Sequence, residues 1–123
     1  MKIGMTSSEP QRGEIWWVQL SPTRGNEIQK TRPAIVISAN ELGGLRLRLV
    51  VPITGWKPAF AAIPWLVQLR PSSQNGLSKT SVANPLQTRS VSLERFAGKL
   101  GVLGEEGLEQ VVLSLGVVVQ HPF

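Results

Sequence analysis

A chain of 123 residues has the size of one ordinary domain and buries about two-thirds of its unfolded surface on folding. Apolar residues make up 41% of it and charged residues 17%, which excludes general disorder, and a formal charge of +5 points to a polyanion or an acidic protein as partner. Cysteine, aspartate and tyrosine are absent and His121 is the single histidine, which removes disulfides, zinc–thiolate centres, thiol nucleophiles, serine–histidine hydrolysis and histidine-rich metal sites.

Residues 1–11 are polar, with Thr6-Ser7-Ser8 and Pro10, and are expected to form a flexible lead-in to a single domain over residues 12–123. They contain no apolar signal core, and the longest apolar stretch, residues 111–119, falls short of the ~20 residues of a membrane span. A soluble cytoplasmic protein without membrane contact is expected. Residues 14–20 (Glu-Ile-Trp-Trp-Val-Gln-Leu), bounded by Gly13 and Ser21-Pro22, read as a mostly buried strand. Polar residues dominate 21–32, a loop whose length is uncommon without a function.

A second strand, 33–38, starts at Pro33, where no amide donor is needed. Over 45–51 the alternation places Leu45, Leu47, Leu49 and Val51 on one side, expected to be buried, and Arg46 and Arg48 on a solvated side without a role. Strand signal then gives way at Pro52-Ile53-Thr54-Gly55 to a second long loop with Trp56, Lys57, Pro58 and Pro64. A further strand is expected over 65–69, a reversal at Asn75-Gly76, and short strands over 80–83 and 87–91 around Pro85. One helical turn near 92–96 and a last strand over 97–103, weakened by two glycines, complete the β portion.

The period then changes. Leu108, Val111, Val112, Leu115, Val118 and Val119 follow one helical face, and Glu105 and Glu106 suit the positive end of the helix dipole. The expected fold is mostly β with a C-terminal α-helix: a small SH3-like or CcdB-like barrel of about six to seven strands, capped by that helix.

With no metal or other cofactor expected, chemistry must come from Glu, Arg, Lys and hydroxyl groups. Arg32 stands where a polar loop meets a buried strand, and Pro33 biases it toward extended backbone, which fixes its direction. A planar guanidinium there can hold a phosphate through two hydrogen bonds and stabilise developing charge, or it can make a surface ion pair, for example with Glu27. Glu27 in the same loop is either a general base for a ribose 2′-hydroxyl or a solvated carboxylate. Arg24, Lys30, Lys57 and Lys79 lie in loops, and Trp56 shares one of them with Phe60. Cations that track phosphates beside faces on which bases stack are what single-stranded RNA recognition requires, although Trp56 could instead plug the base of its loop. Asn26, Gln29 and Thr31 join this RNA-binding set. Trp16, Trp17 and Trp65 are expected within strands, as core or dimer contacts.

The stretch from Arg12-Gly13-Glu14 through Pro22-Thr23-Arg24-Gly25-Asn26-Glu27 to Arg32-Pro33-Ala34-Ile35-Val36 resembles the opening of MazF/PemK toxins. Val50-Val51-Pro52-Ile53-Thr54 and Leu86-Gln87-Thr88-Arg89-Ser90-Val91 agree in order and spacing, the latter with the family's Asp-Gln-x-Arg-Thr-Ile signature; the resemblance covers about residues 12–119. It implies a homodimeric, sequence-specific endoribonuclease that needs no metal and is neutralised by an antitoxin with an acidic, flexible tail. Cleavage of single-stranded mRNA would proceed by 2′-hydroxyl attack to a 2′,3′-cyclic phosphate, with Arg32, Glu27 and Thr54 as catalytic residues. Gln87 and Arg89 keep the pattern, either to bind RNA or to stitch strands and dimer together. Asn84 and Leu86 depart from it, so no carboxylate is available at Leu86. A binding module on the same barrel, inert as a nuclease, is the alternative. A CcdB-like gyrase poison ranks third, since residues 119–123 lack the tryptophan those toxins use.

Overall fold

The computed structural model describes residues 9–121, so residues 1–8 of the expected lead-in lie outside the described residues. Seven strands form, β1 (Glu14–Gln19), β2 (Thr31–Val36), β3 (Leu47–Gly55), β4 (Val67–Leu69), β5 (Ser81–Ala83), β6 (Arg89–Ser92) and β7 (Phe96–Val102), followed by one helix, α1 (Glu105–Val118). Their order is β4-β5-β3-β2-β1-β7, with β6 also paired to β3, and every pairing is antiparallel. The expected barrel is therefore an open sheet, with β4 and β7 at the ends of the path.

Strand β3 runs further than its composition suggested. It pairs with β2 as far as Ala34↔Pro52 and with β5 from Ile53↔Ala83 onward, so Pro52 marks the change of partner instead of ending the strand. A proline suits that point because its missing N–H is not required by either ladder, while its carbonyl accepts from Asn84 N at 3.0 Å. The extension carries Thr54 and Gly55 to the far end of the sheet.

Both faces of the central strands are covered, which explains their nearly continuous apolar runs. Ile15, Ile35, Val51 and Ile53 pack in one cluster with Val111, against which Leu108 and Leu115 are also set. Trp16, Val18, Leu20, Ala34, Val36, Val50 and Val91 form the other, with Ile28 and Phe96 at its margin. Complete burial of one such side chain contributes about 1.5–3 kcal/mol. Helix α1 thus caps one face as its periodicity implied, and Glu105 and Glu106 occupy its first turn. Val119, expected on the same face, lies past the helix end and is exposed.

Around the N-terminal end of β3 the expectation holds for Arg46, which is exposed, but fails for Arg48 and for the leucines. Arg48 is 5% exposed, whereas Leu45, Leu47 and Leu49 are 58%, 51% and 43% exposed. Arg48 is tolerated inside because its Nε donates to the Pro10 carbonyl at 3.0 Å and its Nη1 to the Leu45 and Leu47 carbonyls, each at 2.9 Å. The same contact ties residue 10, within the expected lead-in, to the sheet, and Glu9 stands 3.6 Å from Nη2. Trp65 precedes β4 in a turn, so the strand expected over 65–69 is shorter than its composition suggested.

Candidate active site

Three chain segments converge at one end of the sheet. Arg32 is the second residue of β2, Thr54 and Gly55 close β3, and the backbone before β5 is held beside them by Trp56 N donating to Thr80 O and by the Gly55↔Ser81 pairing. Arg32 donates from Nε to Gln29 O at 3.2 Å, which anchors the stem of the guanidinium on its own loop. Proline at 33 supports the extended backbone that aims it.

Two cavities meet at these residues. One, of about 380 Å³, is lined by Arg32, Thr54, Gly55 and Lys79 together with Thr31 and the apolar surfaces of Trp17, Leu77 and Leu100. The other, of about 420 Å³, has Arg32, Thr54, Gly55 and Lys79 in common with it and adds Trp56, Lys57 and Phe60. Trp56 and Phe60 stand edge to face, 5.9 Å between centroids at 78°. No carboxylate lines either cavity, and neither ion pair found among the described residues involves Arg32, Lys57 or Lys79. Three cations without a neutralising acid, a hydroxyl and an aromatic pair have the chemistry that an anion flanked by flat rings requires.

Glu27 is not brought into these cavities. Its Oε1 accepts from Arg24 N at 2.6 Å, closing a turn of the β1–β2 loop, and it lines a separate recess with Asn26, Ile28, Leu86, Gln87 and Arg89. Gln87 has both ends of its side chain engaged there, since Oε1 accepts from Ile28 N at 2.6 Å and Nε2 donates to Asn26 O at 3.0 Å. Arg89 reaches back to Leu20 O at 3.1 Å. In this structure both residues fasten the loop to the sheet. Arg24 and Lys30 are exposed on that loop, and Lys30 takes a left-handed φ of 71° with its N–H on Ser21 Oγ. Asn84 Oδ1 accepts from Leu86 N and caps a short turn, which leaves Leu86 exposed. Among the described residues, no three His, Cys, Asp or Glu side chains gather as metal ligands.

Residues 11–119 match the family model described as PemK-like, MazF-like toxin of type II toxin–antitoxin system. The chain belongs to the MazF/PemK family. It is 34% identical over 107 residues to endoribonuclease MazF9 of Mycobacterium tuberculosis, covering 82% of this chain and 88% of that one. Among solved structures it is similar to MazF of Deinococcus radiodurans, with a TM-score of 0.76 at 26% identity over 91% of this chain and 97% of that chain. A mycobacterial endoribonuclease in complex with its cognate antitoxin shares the fold, with a TM-score of 0.73 at 17% identity over 93% and 98% of the two chains.

Within this MazF/PemK framework, sequence reasoning missed Trp17 as a cavity residue and Gly55 altogether. The first was open to inference. Adjacent strand residues face opposite sides, so Trp16 and Trp17 cannot both enter one core; Trp16 is 9% exposed against Phe96, and Trp17 is 40% exposed in the cavity. For Gly55 no signal existed, because its neighbour Lys79 is set by the fold.

Proposed function

We propose that this protein is a metal-independent endoribonuclease toxin acting on single-stranded RNA in the cytoplasm. The observation that carries the proposal is the junction of Arg32, Thr54 and Lys79 between two cavities that no carboxylate lines. Arg32 and the Thr54 hydroxyl would hold the non-bridging oxygens of the scissile phosphate, where charge grows during attack. The ribose O2′ forms a bond to phosphorus and the bond to O5′ breaks, giving a 2′,3′-cyclic phosphate and a 5′-hydroxyl. The 2′-hydroxyl proton goes to Glu27, and O5′ takes a proton from water. For Glu27 to serve, its bond to Arg24 N must open and the β1–β2 loop must close over the RNA. Trp56 and Phe60 would stack bases, and Lys57 with the loop residues Arg24, Asn26, Gln29, Lys30 and Thr31 would follow the backbone.

The protein would act as a homodimer paired through the leucine ridge of Leu45, Leu47 and Leu49, three exposed large apolar side chains at alternate positions. An antitoxin with an acidic tail would occupy the same cationic junction and exclude RNA, in keeping with the net charge of +5.

Incubation of purified protein with a long single-stranded RNA in EDTA tests this reading. Discrete fragments are expected, and Arg32→Ala should lower the rate by about two to three orders of magnitude. One observation favours the alternative of an inert RNA-binding module: the acid expected to act as base lies in another recess. Retention of RNA without any cutting would establish that alternative.

A further inference from the structure

Of the residues lining the two cavities, Arg32, Thr54, Gly55 and Lys79 line both, and so form the ridge between them. The end of the Lys79 side chain lies directly over Gly55, close to where a side chain at residue 55 would begin. A Cβ placed on Gly55 would lie 3.2 Å from both Cε and Nζ of Lys79, inside ordinary van der Waals contact. Gly55 lies in a strand, and its φ is outside the left-handed region, so space and not backbone conformation is what a glycine provides here.

The backbone of Lys79 is fixed from two sides. Its carbonyl accepts from Ser81 Oγ at 2.8 Å, and the next carbonyl, of Thr80, accepts from Trp56 N at 3.1 Å. The loop leading to it is stiffened by Asn75, whose Oδ1 accepts from Ser72 N and Leu77 N, both at 3.0 Å, and whose Nδ2 donates to Arg70 O at 2.9 Å. The main chain that presents Lys79 is therefore held in place, and no acid lines either cavity to neutralise its ammonium.

We propose that Lys79, seated over Gly55, is the second cation on the scissile phosphate and that RNA crosses the ridge there. The nucleotide on one side of that phosphate then enters the Trp17–Leu77–Leu100 cavity, and the one on the other side meets Trp56 and Phe60. Arg32 supplies a planar fork to one pair of oxygens; Lys79 supplies a point charge close to the Thr54 hydroxyl. The inference rests on the endoribonuclease reading for its chemistry, and on the two cavities alone for its anion site.

Two measurements on Lys79→Met, Gly55→Leu, the double variant and Arg70→Met test it. The first is the affinity for a single-stranded oligodeoxynucleotide, which cannot be cut by 2′-hydroxyl attack, across a range of salt. Lys79→Met should weaken binding and reduce the log–log salt slope by about 0.7, one phosphate contact on a single strand. Gly55→Leu should do the same, with the double variant no worse than either single, because both remove the same contact. Arg70→Met makes the same change in net charge outside the cavities and should leave the slope near that of wild type. The second measurement is the single-turnover rate on RNA, expected to fall about a hundredfold in Lys79→Met and to recover in part in Lys79→Arg. Additive losses in the double variant, an unchanged slope in Lys79→Met, or an equal loss in Arg70→Met would overturn the proposal. If Gly55→Leu fails to fold, Gly55→Ser replaces it. Should wild type cut no RNA, the endoribonuclease reading fails, while the slope and the cycle still decide the role of Lys79.

Discussion

Arg48 Nε lies 3.0 Å from the carbonyl oxygen of Pro10, and this buried contact fixes which side of β3 faces solvent. Replacing Arg48 with Met leaves the Pro10, Leu45 and Leu47 carbonyls without their donor, so stability should fall by about 3 kcal/mol, read as a lower urea midpoint. Glu9→Gln should change it by less than about 0.5 kcal/mol, because that partner stands 3.6 Å away at the surface. Equal effects from the two variants would mean that the ion pair, and not the carbonyl contacts, holds the arginine.

The leucine ridge gives a second expectation. Leu47→Glu places a charge where a partner copy should pack, and sedimentation should show a monomer with an unchanged circular dichroism spectrum. A dimer that survives both Leu47→Glu and Leu49→Glu would move the interface elsewhere.

Gln87 concerns the loop that carries Glu27. In Gln87→Ala the bonds to Ile28 N and Asn26 O disappear, and amide exchange at Ile28 should accelerate while β1 and β2 stay protected. Unchanged exchange at Ile28 would show that the loop is held by other contacts. If the loop carries part of the RNA site, KM should rise more than kcat falls.

Glu14 sets a pH limit on stability. Burial alone would raise its pKa, but hydrogen bonds donated by Trp16 Nε1 at 2.9 Å, Lys99 and Gln11 N outweigh burial and hold the carboxyl below its ordinary value. A depressed folded-state value stabilises the protein above the unfolded pKa of about 4.3, and the benefit is lost as pH falls through the folded value. The stability gap between wild type and Glu14→Gln should therefore be constant above about pH 5.5 and shrink as the solution is acidified below about pH 4. A gap independent of pH down to 2.5 would contradict this origin.

How much of this was legible beforehand depended on whether a local rule had one answer. The run of β-branched and aromatic residues in β1, the Asn75-Gly76 reversal and the period of α1 each admit one structure, and each formed, whereas β2 spans Thr31–Val36 instead of the expected 33–38, with Pro33 inside the strand opposite Trp17. Around the start of β3 the alternation set Leu45, Leu47 and Leu49 apart from Arg46 and Arg48, yet all of them except Arg48 are exposed, and a period of two carries no information about which residue is covered. That depended on carbonyls at residues 10, 45 and 47 turning toward one guanidinium. Likewise Pro52 reads as a strand end only if a strand keeps one partner, and β3 changes partner there. At the candidate site, Arg32, Thr54, Trp56, Lys57 and Lys79 come together, whereas Glu27, five residues from Arg32 in the chain, turns into another recess. Loop direction is settled by contacts such as those of Gln87, which lie about sixty positions away in sequence.

The central claim is that the junction of Arg32 and Thr54 drives attack by a neighbouring 2′-hydroxyl. Its most direct test is an RNA that wild-type protein cuts at one site, prepared again with a single 2′-deoxy substitution at that site and incubated in EDTA. Cutting should stop in the substituted strand, while the unmodified strand yields a 2′,3′-cyclic phosphate and a 5′-hydroxyl. Continued cutting of the 2′-deoxy strand, or products ending in a 5′-phosphate, would contradict it.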